Sequence, residues 1–280
     1  EISLGSTRLD NLSNRRLREQ RSRMQMIFQD PNDALDPRMT VRQSIEEPLR
    51  VLGRLRGRGS SEIAEVALDS VGLPAAVASR RPHELSGGQR QRVNIARAMT
   101  VEPELLLCDE VVSALDVSIQ ADILKLLARL QAEIGLAYLF ISHDLGVVAT
   151  VSDRIGVMYL GRIVEVGAVD DVVGYPLHPY TEALLSAEPE ALPQHLKHRN
   201  RIVLQGDIPS PISPPSGCGF RTRCRFAQPL CAEEVPILTA RPDGHAVACH
   251  FADELELVGR QTAHTTSQSG HSPPTSGGMK

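Results

Sequence analysis

The chain has 280 residues, room for one large core with an appendage or for two modest domains. Its formal net charge of −4, with 3% aromatic residues and no tryptophan, argues against a surface built for nucleic acid or anionic lipid. No apolar run approaches the roughly 18 residues that cross a bilayer, and the start has no secretory-signal pattern.

"EISL" reads as the tail of a strand, and Glu1 in place of methionine leads us to expect sequence upstream. A polar helix is expected from about Asn14, with Arg15, Arg16, Arg18, Arg21 and Arg23 as a solvated basic face. "MQMIFQD", Met24 to Asp30, reads as a short buried strand with a polar exit. "PNDALDPRMTV" reads as a turn-rich loop stopped by Pro31 and Pro37. Residues 41–82 read as mainly helical: Ile45, Leu49 and Leu52 recur at helical spacing, and Ile63, Val66 and Val71 partly do.

"ELLLCDE" is a continuous apolar strand closed by two acids. "SIQADILKLLARLQAEIG" aligns Ile119, Ile123, Leu126, Leu127, Leu130 and Ile134 on one stripe and stops at Gly135. "LAYLFISHD" is a further strand with a polar end. Strand, helix, strand makes a parallel βαβ unit, so Asp109 and Glu110 should emerge beside His143, at the edge where open α/β sheets bind ligands. "DRIGVMYLGRIVEVG" reads as a hairpin turning at Gly161. From about Asp170 the sequence becomes rich in proline and loops, and its Ser-, Thr- and Gly-rich end reads as a disordered tail.

In "HELSGGQRQRVNIARAM", Ser86, Gly87 and Gly88 open a helix that runs on from Gln89. Amides at such a mouth, with the positive end of the helix dipole, favour phosphate, and the glycines let it approach. Alone, this is a common N-cap; alone, the acids are a strand's polar exit, His143 is structural and Gln29 is a loop amide. The chemical reading has Asp109 hold magnesium through water, Glu110 polarise a water for attack on phosphorus, and His143 hydrogen-bond a terminal phosphate.

In this order, Gln29, "LSGGQ" (Leu85 to Gln89), "LLLCDE" with "SALD" (Ser113 to Asp116) and "SHD" around His143 resemble the nucleotide-binding subunit of an ATP-binding-cassette (ABC) transporter, from Glu1 to about Gly167. The resemblance implies an α/β fold of the P-loop NTPase type, with a nucleotide-binding domain over 1–169 and its helical subdomain at about 31–100. It implies ATP and Mg2+ as cofactors, Asp109 as the Walker B aspartate, and Asp109 and Gln29 toward magnesium. Glu110 would be the catalytic glutamate, His143 the switch histidine and Asp116 part of the D-loop. Ser86, Gly87, Gly88 and Gln89 would face nucleotide held by a second ATPase subunit, identical or different, packed head to tail.

The family's phosphate loop, G-x-x-x-x-G-K-[ST], occurs nowhere in the sequence. Nor is the aromatic that stacks on adenine identified. Two expectations stay open: an N-terminally incomplete copy, which we favour, or a degenerate subunit that only completes a partner's site.

"GYPLHPYTEALLSAEP" (Gly174 to Pro189), "GDIPSP" and the cysteine region after it resemble the C-terminal extension of ATPases from oligopeptide and dipeptide importers, as does "FQDPNDALDPRMTV". The extension is expected at 170–258, small and loop-rich, and the tail at 259–280. Some relatives of that branch carry nickel or other small solutes. The implied partners are two membrane-spanning permease subunits and, indirectly, an extracytoplasmic peptide-binding protein, with no nucleic acid. The implied location is peripheral, at the cytoplasmic side of the cell membrane.

Cys218, Cys224, Cys231 and Cys249 follow C-x5-C-x6-C-x17-C, without the paired knuckles of structural zinc. Four thiolates suit a [4Fe–4S] cluster or zinc, and the importer resemblance favours the cluster; unliganded thiols are the alternative. Cys108 reads as a small apolar core group and His250 as a bystander. Two rival readings stand against this one: a non-hydrolysing regulatory subunit, opposed by intact Glu110 and His143, and an ABC ATPase of DNA repair or translation, opposed by the importer extension and the lack of a basic surface excess.

Overall fold

Three apolar runs, each with a polar exit, become the parallel sheet of the first unit. The computed structural model describes residues 1–55, 60–187 and 201–259. Two units are compact by their contacts, Glu1–Val151 and Ser152–Lys280.

In the first unit, β1 (Ser3–Leu4) and β2 (Thr7–Arg8) pair antiparallel around Gly5 at φ +56, a small hairpin where a strand tail was expected. Helix α1 (Asn14–Gln20) buries no residue, in keeping with its basic face. It leads into β3 (Met24–Ile27). The expected loop holds a short helix, α2 (Pro31–Ala34), because proline fits a first helical position whose N–H has no partner anyway. Helix α3 (Val41–Val51) is capped by Thr40 and Gln43, each side chain accepting from the other's main-chain N–H.

Helix α3 buries Ile45 as the spacing suggested, together with Val41, Ser44 and Glu46, while Leu49 and Leu52 are only half-buried. Helix α4 (Ser60–Ser70) buries Ala64 and Leu68 and leaves Val66 outside. Next come α5 (Gly87–Met99), β4 (Leu105–Asp109), α6 (Val117–Ile134), β5 (Ala137–Ile141) and α7 (Leu145–Val151). Helix α6 buries Ile123, Leu126, Leu127 and Leu130, and Gly135 ends it in the left-handed conformation at φ +72.

The sheet order is β3-β4-β5, all parallel, with Ile27 opposite Cys108 and Asp109 opposite Ile141. That register brings the residues just after each strand to one edge. Ile27, Ile45, Leu68, Ile95, Leu106 and Ile123 share one core beneath it. Each such side chain stabilises by about 1.5–3 kcal/mol on burial.

In the second unit, β6 (Arg154–Tyr159) and β7 (Arg162–Ala168) form the expected hairpin. Leu160 and Gly161 both take positive φ, +46 and +75, the geometry of a tight primed turn. Helices α8 (Val169–Gly174), α9 (Pro179–Ala187) and α10 (Leu230–Glu233) follow, then β8 (Thr239–Ala240) and β9 (Ala246–Val247). Strand β9 pairs with β7, giving the order β6-β7-β9-β8. This long-range pairing draws the hairpin into the second unit, so the contact division falls at Val151/Ser152, ahead of the 169/170 boundary read from sequence. Tyr159, Tyr180 and Phe220 stack into an aromatic core with ring centroids 4.8–5.4 Å apart. The expected tail lies outside the described residues apart from Gly259.

Candidate functional site

The aligned strand ends converge on Glu110. Gln29, two residues beyond β3, donates from Nε2 to Glu110 Oε2 at 2.6 Å. His143, two residues beyond β5, places Nδ1 3.1 Å from Glu110 Oε1. Both carboxylate oxygens are thus engaged. Glu110 itself sits at φ +46, a strained conformation for a residue with a side chain. Its N–H donates to the Ile141 carbonyl at 2.9 Å, and its own carbonyl accepts from Ser113 N–H and Oγ–H at 3.1 and 2.9 Å. Asp109 closes β4 next to it, half-buried. Asp116 N-caps α6 in position but makes no side-chain cap bond.

The other predicted group is the mouth of α5. Ser86 Oγ accepts from Gln89 N–H at 3.3 Å, and Gln89 Oε1 accepts from Ser86 N–H at 3.1 Å, a reciprocal capping box. The Ser86 hydroxyl proton remains available to donate, and the N–H groups of Gly87 and Gly88 have no acceptor one turn back. The mouth can therefore present three donors to an anion. Gly88 has a second reason to be glycine: a Cβ there would lie 2.7 Å from Ile119 Cγ2, so α5 packs on α6 through the bare backbone. Gly87 has ordinary space, with Leu115 Cδ2 at 3.7 Å.

Sequence reading passed over two buried polar residues on α5. Gln91 donates from Nε2 to the Val111 carbonyl at 2.8 Å, tying the helix to the turn that carries Glu110. Asn94 is buried with neither amide atom partnered and lines a groove of about 660 Å³ with Met26, Phe28, Val51 and Arg97. Arg97 in turn donates to the Ala34 carbonyl and to Glu47, joining α5 to α2 and α3. The only sequence signal was a polar residue at every third position of an otherwise apolar face.

The ABC transporter sequence profile matches residues 1–113, and that of the oligopeptide/dipeptide transporter C-terminal region matches residues 164–231. The chain is 50% identical over 244 residues to the oligopeptide transport ATP-binding protein AppF of Bacillus subtilis, covering 87% of this chain and 74% of that one. It is 51% identical over 239 residues to OppF of Salmonella typhimurium, covering 85% and 71%. The chain belongs to the ABC transporter family. Within it, this ATPase falls on the oligopeptide/dipeptide branch. Among solved structures it is similar to the dimeric ATP-binding cassette MJ0796 bound to ADP and Pi, with 30% identity and a TM-score of 0.50 over 57% of this chain and 69% of that one. The family implies ATP and Mg2+ as the nucleotide and metal of this ATPase. No helix among its described residues is long and apolar enough to cross a membrane.

The late cysteines converge as well. Cys218, Cys224, Cys231 and Cys249, all free thiols, line one cavity of about 20 Å³. Cys218 N–H donates to the Cys231 carbonyl at 2.8 Å. Gly217, at φ +64, allows this approach, since a Cβ there would fall 2.3 Å from that carbonyl. Burial pushes the Cys249 thiol up to about 11 and raises Cys218 and Cys224. Among the described residues, no three His, Cys, Asp or Glu side chains are set to hold a metal ion. The cavity has room for about one water and would have to widen for a cluster. His250 bonds the Glu234 carbonyl at 3.0 Å. Cys108 is fully buried in β4, and burial pushes its thiol up to about 12, so it packs as an apolar group.

Proposed function

We propose that this chain is the ATP-binding and ATP-hydrolysing subunit that energises peptide import, docked peripherally at the cytoplasmic side of the cell membrane. Its partners in this reading are a second ATPase subunit, two permease subunits and, indirectly, an extracytoplasmic peptide-binding protein. One observation carries the catalytic assignment: Glu110 is held between Gln29 and His143 where three parallel strands end. Each oxygen has one partner and keeps a second lone pair, so Gln29 and His143 can orient the carboxylate while it takes a proton from attacking water.

His143 would then contact the terminal phosphate. Asp109 and the free Oε1 of Gln29 are oxygen donors of the kind magnesium takes, and the bound ion would neutralise charge on the phosphates. Ser86, Gly87 and Gly88 would meet nucleotide held by the second subunit, a reading supported by the dimeric cassette to which the chain is similar. The groove lined by Met26, Phe28 and Val51, the first two close to Gln29 in sequence, is the surface we assign to a permease helix. We keep the nucleotide-binding domain at 1–169 and the importer extension at 170–258.

In a version of the subunit that carries a phosphate loop, Glu110→Gln is expected to keep ATP binding and lose turnover by about 10²-fold or more. Unchanged turnover would remove Glu110 from the chemistry. Peptide-dependent stimulation in the permease complex, set against nickel, tests the solute.

We also propose that the four late cysteines bind a metal, preferably a [4Fe–4S] cluster, with zinc as the alternative. Their shared cavity supports this, provided it opens. Anaerobic purification should yield iron and acid-labile sulfide; one zinc and no sulfide would exclude the cluster.

A further inference from the structure

The second unit contains a pocket of about 440 Å³ whose charges do not balance. Its lining includes Arg201, Arg223, Arg225 and a single acid, Glu182. That acid is already committed: Arg225 Nη2 donates to its two oxygens at 3.1 and 3.0 Å, and Val258 N–H donates to Oε1 at 3.0 Å. Arg201 and Arg223 have no carboxylate partner among the described residues. The Arg223 Nε–H is buried and makes no hydrogen bond at all. Buried donors of this kind are nearly always satisfied, so this unsatisfied one, on a side chain that lines the pocket, shows that the protein's own acceptors do not use up the Arg223 guanidinium. Leu204 and Phe220 give the same pocket apolar walls.

We propose that this pocket binds a small acid with an apolar body, its oxyanion held by the guanidiniums of Arg223 and Arg201. Guanidinium forks suit both carboxylate and phosphate, so the head group has two possible sources: the C-terminus of a short peptide or a phosphate. Cys224 lines both this pocket and the four-thiol cavity, so an occupied pocket should alter the reactivity of that thiol. The inference stands on this unit alone and is independent of the ATPase reading.

The test is calorimetric titration of the full chain with L-alanyl-L-leucine, with its C-terminal amide, and with inorganic phosphate. The dipeptide acid should bind saturably, and the amide at least about tenfold more weakly, as expected for a lost charged hydrogen bond. Binding by phosphate and not by the dipeptide would keep the oxyanion site and assign its source to phosphate. Arg223→Gln should weaken either ligand by about tenfold or more. Arg201→Gln, at an exposed position that does not endanger folding, should weaken it too, and Arg162→Gln should not. No saturable binding of dipeptide or phosphate, or binding that both pocket variants leave unchanged, would overturn the proposal.

Discussion

Glu110 and Gly88 show how differently two family residues earn their places. The partners of Glu110 follow from strand register, because parallel neighbours that start level end level. The sequence therefore foretold His143 beside Glu110, whereas the strained φ and the bond from Gln29 depend on a turn whose shape no pattern encodes. At Gly88 the reading from sequence was a clear path for phosphate; the structure adds contact with Ile119, which only the packing of α5 on α6 could reveal. Gly88→Ala should thus destabilise the first unit by about 1–3 kcal/mol even without nucleotide, because a β-branched neighbour cannot swing aside. Adding Ile119→Ala removes the clashing methyl. A double-mutant cycle of urea midpoints should show positive coupling, and strict additivity would mean that the clash is relieved elsewhere.

At the scale of elements, the βαβ unit was legible because continuous apolar runs and a stripe of six apolar residues leave little freedom. Helix α3 was expected, but its buried face was only partly legible, because it hides Ser44 and Glu46 along with Val41 and Ile45. Not legible were β8 and β9, two-residue strands of which β9 pairs with distant β7 and β8 only with β9. That pairing also hides Glu165, which alternation would turn outward. It is fully buried and accepts from Leu177 N–H at 2.7 Å, His178 N–H at 3.0 Å, the Thr181 hydroxyl and His245 Nε2 at 2.8 Å.

His178 lies in the same network. Tyr180 N–H donates to its Nδ1 at 3.0 Å, which fixes the neutral tautomer with the proton on Nε2, and burial pushes its pKa down to about 4. The unfolded chain takes up this proton below about pH 6.5, and the folded one only near 4. The second unit should therefore keep its full stability above pH 6.5 and lose up to about 3 kcal/mol as pH falls to 4, with no further loss from this group below that. His178→Asn, whose Oδ1 can replace the Nδ1 acceptor, should flatten that slope. Hydrogen exchange of residues 152–259 across this pH range would measure it, and equal slopes would assign the acid sensitivity to other groups.

Over the whole molecule, the two groups of predicted nucleotide residues have different owners in the proposed reading: Glu110, Asp109 and His143 would serve a phosphate loop on their own chain, and the mouth at Ser86 would serve one on a second subunit. The 280 residues contain no such loop, yet the Ser86 capping box and the unpartnered glycine amides are fully built. This polypeptide, mixed with an ABC ATPase subunit that has G-x-x-x-x-G-K-[ST], should raise the partner's ATP turnover through a single shared site. Ser86→Arg fills the mouth with a bulky side chain and should abolish that gain. Glu110→Gln should leave it intact, because the partner supplies its own glutamate to the site it holds. If instead Glu110→Gln abolishes the gain and Ser86→Arg does not, nucleotide is held on this chain by residues outside the family pattern, and the division of labour between the two groups is reversed.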